Sequence, residues 1–542
     1  MTSEPALTDK PEFQALLKEK DRLKNQSIVK LFSEQPNRAN ELTVAQANIE
    51  LDYSRHAIDS QGFDALFKII DPSESHRFAT ELLDGLKVNF TEKQSALHSL
   101  FRNKNSKKTH SIVSEIQKKM AHLVEDIVNG HKKGFTGKAF TDVVNLGIGG
   151  SYLGPKLVFE SLSNYRNHLD CHFVSNLDPE DLKTTLLTLQ PETTLFVVCS
   201  KSFKTEETLI NARNARNWLM KAGAKDLENN FIAITENTKA AQDFNIPAGN
   251  CLLLPKEVAG RYSIWTSAGL TCALGIGWKS FSEFLSGAEA MDSHFKSAAP
   301  SRNLPVIMSL LEFWYRNCWN TQVHAILPYS HNLRSLPIHL QQLVMESNGK
   351  NALASGEFLE QLTASVIWGT DGINGQHSFY QFLHQGTLLC PIDFILPLST
   401  ISRDSDQHSK MVSHCLAQAR ALMIGRSTHE SYNYLLKKGL PEKDSRDLAP
   451  HLRMPGNRPS NIISFESLNP TSLGSLLALY EHKTYFSARL WGINPFDQWG
   501  VELGKTISEN IQAVMFKGED ANQLDPATYR LISKWKKTTL GD

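Results

Sequence analysis

The chain has 542 residues, enough for several domains, and its 57 basic and 57 acidic side chains cancel. Without net charge no global field draws it onto DNA or RNA, so nucleic acid is not an expected partner. No apolar run reaches the ~18 residues of a membrane span, and the polar start "MTSEPALTDKPEF" lacks the apolar core of a signal peptide, so a cytoplasmic protein with no membrane attachment is expected.

Residues 1 to about 110 read as helical and polar, with apolar positions at helical spacing in "FQALLKEKDRLKNQSIVKLF". The basic stretch "RNKNSKKTHSI", near 102 to 112, reads as a boundary. Short apolar runs then alternate with helical patterns. They are "VVNLGI" (143–148), "CHFVSNL" (171–177), "TLFVVCS" (194–200) and "NFIAITEN" (230–237). The pattern restarts with "TQVHAILPYS" (321–330), "ASVIWG" (364–369) and "PIDFILPL" (391–398), followed by helical stretches such as "SHCLAQARALMIG". Buried strands alternating with helices argue parallel sheets covered on both faces. The expected fold class is therefore α/β: two such units after a helical lead-in, with a C-terminal helical tail. Seven scattered cysteines with no C-x-x-C pair fit reduced, buried thiols.

The stretch "VVNLGIGGSYLGPKLV" carries Gly147, Gly149, Gly150 and Gly154. A strand, glycines and a helix in that order bring a ligand close to the backbone, and the candidates are a dinucleotide or a phosphate. Gly147 and Gly149 fit G-x-G-x-x-G, but Tyr152 fills the third glycine slot. Pro155 is expected in the first helical turn, and Ser151 adds a hydroxyl. A second strand-to-helix loop, "SKSFKTEET", offers Ser200, Ser202 and Thr205 around Lys201, with Thr205 as the N-cap. Hydroxyls, an ammonium and a helix N-terminus suit a phosphate monoester, and no acidic residue is placed for a ribose, so phosphate is favoured.

Arg261 in "EVAGRYSIW" reads either as half of a salt bridge or as a guanidinium facing a developing oxyanion. Glu346 ends a helix that Asn348 and Gly349 stop, an unfavourable place for a carboxylate that calls for a compensating partner or a role as a base. His377 follows an Asn-Gly-Gln turn at a helix start, and Lys505 lies about two turns beyond Gln498. His324, His331 and His339 are too loosely spaced for a zinc motif, so no metal site is expected, and neither a nucleophile elbow nor a P-loop occurs.

The strings "GIGGSYLGP", "SKSFKTEET", "GRYS", "QQLVMESNGK", "NGQHSFYQFLHQGT", "GNRPSN", "LALYEHK" and "WGINPFDQWGVELGK", in that order from about 143 to 505, resemble the phosphoglucose isomerase family. Five positions depart from the family pattern: Tyr152 where the family usually has Asp, Ala259 for Gly, and Ser202, Lys204 and Glu206 for Thr, Thr and Gln. The resemblance implies two SIS-type α/β/α sandwich domains with parallel sheets. The smaller would span 111–285 and the larger 286–510. Residues 1–110 would pack on the large domain, and 511–542 would form the tail. It also implies a homodimer with His377 contributed across the interface. The implied activity is aldose–ketose isomerisation of glucose 6-phosphate and fructose 6-phosphate, without cofactor. Glu346 would be the base, Arg261 the oxyanion stabiliser, and His377 and Lys505 the ring-opening pair. Ser200, Lys201, Ser202 and Thr205 would hold phosphate with Ser151, Gly149 and Gly150. Gly260, Glu207, Gln342 and Gln498 would complete the sugar site.

Overall fold

The computed structural model describes residues 10–102, 110–225, 227–401, 404–517, 521 and 524–540. Most of the basic bridge near 102–112, and residues 1–9 of the polar start, lie outside the described residues. The chain divides into two compact units, Met1–Pro495 and Phe496–Asp542.

The lead-in is largely helical, with one addition. Residues Thr43–Gln46 and Ile49–Arg55 form a hairpin, β1 and β2. Ala47 and Asn48 make its two-residue turn at φ 49° and 62°, the left-handed pair that a tight hairpin requires. Along β2 exposure alternates, with Ile49, Leu51 and Tyr53 buried and Glu50 exposed. This period of two sits among helical signals and escapes a reading tuned to them.

Next come β3 (Asp142–Leu146), β4 (Asp170–Val174), β5 (Thr194–Cys199), β6 (Phe231–Thr235) and β7 (Cys251–Leu253). They form an all-parallel sheet in the order β4-β3-β5-β6-β7. The sequence reading finds the first four, whose apolar runs are buried, and misses the three-residue β7. The second sheet uses β8 (Val323–Pro328), β9 (Val366–Trp368), β10 (Ile392–Ser399) and β11 (Ser460–Ser467), in the order β1-β2-β11-β10-β8-β9. Strands β8 to β11 are parallel, and the hairpin adds two antiparallel strands. The sheet is thus mixed where two parallel sheets were expected. Strand β11, "SNIISFES", is missed because polar residues flank its apolar centre. All seven cysteines are free and buried, as expected. Among the described residues no helix is long and apolar enough to cross a membrane.

The helix Pro470–Trp491 is buried along nearly its whole length. Asn469 and Ser472 form a capping box at its start, Pro470 stands at its first position, and Gly492 ends it at φ 69°. It crosses the helix Leu270–Ser297 at very short range: a Cβ on Gly287 would lie 1.9 Å from Thr471 O, and one on Gly474 2.0 Å from Phe284 O. Its buried charged residues are paired across the core. Glu481 pairs with Arg102 and accepts from Trp265 Nε1 at 2.8 Å, His482 meets Asp292 at 2.6 Å, and Tyr480 donates to Asp393 at 2.9 Å. Lys483 reaches Glu312 at 3.1 Å with both side chains almost fully buried. Lys483→Met is expected to destabilise the fold by about 3–5 kcal/mol, because it strands the Glu312 carboxylate in the core. Chemical denaturation beside wild type checks this, and an unchanged midpoint contradicts it.

In the second unit, the helix Glu502–Gln512 passes into a π-turn, Ala513–Lys517, and a last helix, Pro526–Leu540, follows. Asp525 caps that helix through the N–H groups of Ala527 and Thr528 at 2.9 and 3.0 Å. The rings of Phe516 and Trp535 meet edge-on at 5.7 Å.

Candidate active site

In the first sheet, β4 lies on one side of β3 and β5 on the other, so the strand order reverses between β3 and β5. Ligands of open α/β sheets bind outside the strand C-termini at such a point. Both loops singled out from the sequence start there.

The first loop leaves β3 through Gly147. Gly149 turns at φ 59°, ψ −124°, and the helix Gly150–Ser161 begins at once. Pro155 therefore lies inside the helix, not in its first turn as expected. Its ring removes the N–H that Ser151 O would take, and Asn145 Nδ2, fully buried on β3, donates there at 3.0 Å. The two central glycines have different reasons. Gly149 supplies the positive φ. Gly150 supplies clearance, since a Cβ there would lie 2.1 Å from Gly260 C and O and 2.6 Å from Arg261 N. Ser151 hydrogen-bonds Cys199, whose thiol burial pushes up to about 11. Tyr152 is half-buried, and its hydroxyl accepts from Lys156 Nζ at 2.9 Å.

The second loop leaves β5. Thr205 stands at the N-cap of the helix Glu206–Lys221, as expected, but makes no side-chain cap. Its Oγ1 meets Ser200 Oγ at 3.0 Å across the loop. Phe203 holds φ 52°, a strained value for a bulky side chain, while its ring is buried and contacts Phe244 at 6.0 Å. Such strain costs about 1–3 kcal/mol and collects at ligand-binding turns. Ser202 is exposed and its Oγ accepts from Lys204 N at 3.3 Å. Lys201 donates to Lys256 O at 2.7 Å and Val258 O at 3.3 Å, tying this loop to the segment before Gly260. Burial pushes its ammonium below the usual range, against the pull of Glu236.

The short helix Leu336–Leu340 continues as a π-turn, Gln341–Glu346. Single π-turns of this kind recur at functional sites. Gln342 Nε2 lies 3.0 Å from where a Cβ of Gly149 would stand, and its Oε1 is buried without a hydrogen-bond partner among the described residues. Glu346 has the compensating partner its position calls for: Arg261 Nη1 lies 3.4 Å from Glu346 Oε2. The guanidinium side chain is 1 % exposed and the carboxylate 25 %. Arg261 Nε donates to Ser347 Oγ at 2.7 Å, and Nη2 donates to Pro495 O at 2.6 Å. A buried cation thus lies against a carboxylate that solvent, and a substrate, can reach.

Gly149, Gly150, Gln342, Gly260, Arg261 and Glu346 therefore meet directly, and Lys201 ties the Ser200–Thr205 loop to them. Glu207 is half-buried on the first turn of its helix. His377 is exposed at the C-cap of the helix Gly372–Gln376, after β9, and not at a helix start. Among the described residues neither makes a hydrogen bond or ion pair with the others. In the second unit, Lys505 pairs with Glu502 at 2.8 Å and Gln498 O accepts from Val501 N at 3.2 Å. Ser347 was missed as a site residue, although the quoted "MESNGK" contains it. Asp142, Asp170 and His172 bring metal-type donors within 4.8 Å of one another. They stand at the N-terminal ends of β3 and β4, away from the loops, and His172 Nε2 is hydrogen-bonded to Asp142 at 2.9 Å.

A sequence profile described as phosphoglucose isomerase matches residues 52–532. The chain belongs to the phosphoglucose isomerase family. Curated relatives within the phosphoglucose isomerase family align over nearly their whole length. A glucose-6-phosphate isomerase of Pseudoalteromonas atlantica is 40% identical over 98% of this chain and 99% of its own. One of Shewanella baltica is 42% identical over 93% and 95%. Among solved structures, a glucose-6-phosphate isomerase of Chlamydia trachomatis superposes with a TM-score of 0.83 at 28% identity, covering 98% of this chain and all 100% of that one. A Thermus thermophilus protein shares the fold at a TM-score of 0.63 and 21% identity, over 86% and 100%.

Proposed function

We propose that the chain interconverts glucose 6-phosphate and fructose 6-phosphate, the aldose–ketose step shared by glycolysis and gluconeogenesis, through an open-chain cis-enediolate. The observation that carries this reading is the solvent-reaching Glu346 carboxylate held 3.4 Å from the buried Arg261 guanidinium. Glu346 removes the proton next to the carbonyl at C2 and returns it at C1. One carboxylate moving one proton between adjacent carbons needs neither a metal nor a redox cofactor. Arg261, whose guanidinium is itself buried, stabilises the charge that develops on the enediolate oxygen. The hydroxyls of Ser200, Ser202 and Thr205, with Ser151, receive the phosphate. Lys201 contributes its positive charge from behind, and the Gly149–Gly150 and Gly260 backbone comes close to the sugar. Gln342, Glu207 and Gln498 order its hydroxyls.

His377 and Lys505 open the ring. The exposure of His377, and its lack of a hydrogen bond to Glu346, fit a residue supplied to the site of a second copy in a homodimer. The proposal extends to a cytoplasmic location and to the division into a smaller domain, 111–285, and a larger one, 286–510.

The test is turnover of fructose 6-phosphate, with product reported by a downstream glucose-6-phosphate dehydrogenase and no metal or nicotinamide supplied to the enzyme itself. Robust turnover is expected. An inactive chain that still binds the sugar phosphate would make it a binding protein built on the same fold.

A further inference from the structure

Between the two residues on which this chemistry depends stands a hydroxyl to which the sequence reading gave no role. Ser347 Oγ accepts from Arg261 Nε at 2.7 Å and shares a second hydrogen bond, 3.0 Å long, with the hydroxyl of Tyr262. Ser347 and Tyr262 are both fully sheltered from solvent. A guanidinium is planar and rigid, so fixing two of its nitrogens fixes the direction of the third. Ser347 holds Nε, Pro495 O holds Nη2, and Nη1 faces Glu346. Ser347 is also the residue directly after Glu346. The hydroxyl that aims the cation is therefore carried by the same turn that carries the carboxylate. That turn is itself pinned, since Asn348 Nδ2 donates to Thr484 O at 2.9 Å inside the buried helix Pro470–Trp491.

We propose that Ser347 is a positioning residue: its hydroxyl locks the guanidinium of Arg261 into register with the Glu346 carboxylate, and so sets the electrostatics of proton transfer without touching substrate. This rests on the assignment of Glu346 as the base and Arg261 as its partner. Tyr262 supports the lock through the hydrogen bond it shares with Ser347. Burial pushes its phenol above the ordinary range, so it stays protonated and available for the shared hydrogen bond.

The experiment measures kcat and KM for fructose 6-phosphate in Ser347→Ala, in Arg261→Lys and in the double variant. Misplacing a catalytic group by about 1 Å costs about 10²-fold, so kcat of Ser347→Ala is expected to fall about 10- to 100-fold. KM should stay within about threefold of wild type, because uniform binding is untouched. In the Arg261→Lys background, where no rigid fork remains to be aimed, the same change should cost less than about twofold. Ser347→Thr, which keeps the hydroxyl, should restore most of the rate. Should Ser347→Ala not fold, Ser347→Cys, similar in size and a weaker acceptor, carries the same expectation. Wild-type kcat in Ser347→Ala, or an equal loss with and without the arginine, overturns the proposal. Glu346→Gln run in parallel separates the two levels. If that variant is fully active, the base assignment fails. If it is inactive while Ser347→Ala is normal, only the role of Ser347 falls.

Discussion

Replacing Glu346 by Gln is expected to lower kcat for fructose 6-phosphate by about 10²- to 10⁴-fold, the ordinary worth of a general base, while phosphosugar binding persists. Gln matches Glu in size, so the π-turn Gln341–Glu346 keeps its packing. Lys350 Nζ bonds the backbone carbonyl of residue 346, at 2.9 Å, and is indifferent to the side chain. Arg261 loses the Glu346 carboxylate but keeps Ser347 and Pro495 as acceptors. The guanidinium is buried, but these two hydrogen bonds remain, so the cation is not left without partners. The second loop, proposed above to receive the phosphate, lies on another element and is untouched. Calorimetric titration with fructose 6-phosphate, beside the coupled assay, separates binding from chemistry. A variant within tenfold of wild type in kcat would remove Glu346 from the role of base.

Gly150→Ala is expected to cost both stability and rate. The added Cβ would lie 2.1 Å from the backbone C and O of Gly260 and 2.6 Å from Arg261 N. No flexible side chain can swing aside there; either the glycine loop or the Gly260–Trp265 turn must move. Overpacking of this kind costs about 1–3 kcal/mol in stability. The catalytic cost is greater, because the displaced backbone carries Arg261, and a shift of about 1 Å is worth about 10²-fold in rate. The reverse substitution behaves differently. A Cβ on Gly260 would meet only Gly150 Cα, at 3.9 Å, so Gly260→Ala is expected to leave thermal stability unchanged. Unfolding temperatures of the two variants, with kcat/KM for Gly150→Ala, check the pair. A Gly150→Ala enzyme with normal stability and rate would show that the contact is slack.

The parts of this site that the sequence disclosed are those that depend on neighbours along the chain. Strands β3 and β5 each run from a buried apolar stretch into glycines or hydroxyls, and that order alone announces a binding loop. The glycines of the first loop could be counted, but not told apart. That Gly149 serves dihedral freedom and Gly150 serves clearance emerges only once Gly260, more than a hundred residues away, is packed against them. Arg261 was left between salt bridge and oxyanion partner, and the fold supplies the ion pair, with Glu346. Lys201 reads as a phosphate ligand, yet its ammonium is bound to two carbonyls of a distant segment. Strand β11 and the N-terminal hairpin were hidden for a different reason. Polar residues at their ends and a helical setting mask a period of two, and only pairing across the sheet reveals them.

The position of the hairpin β1–β2 at the edge of the second sheet has a consequence for how the chain is made. Leu51 of β2 pairs with Ile463 of β11, and Ser464 pairs with Glu50. At about 5–20 residues per second, a ribosome needs roughly 20–80 s to deliver the partner after the hairpin has emerged. Meanwhile the first sheet, whose strands all fall between Asp142 and Leu253, can close on itself. The first sheet can therefore be complete before the hairpin finds its partner strand. Through that interval an unpaired strand edge is exposed, which makes the hairpin β1–β2 the region where chaperone binding and misassembly during synthesis should concentrate.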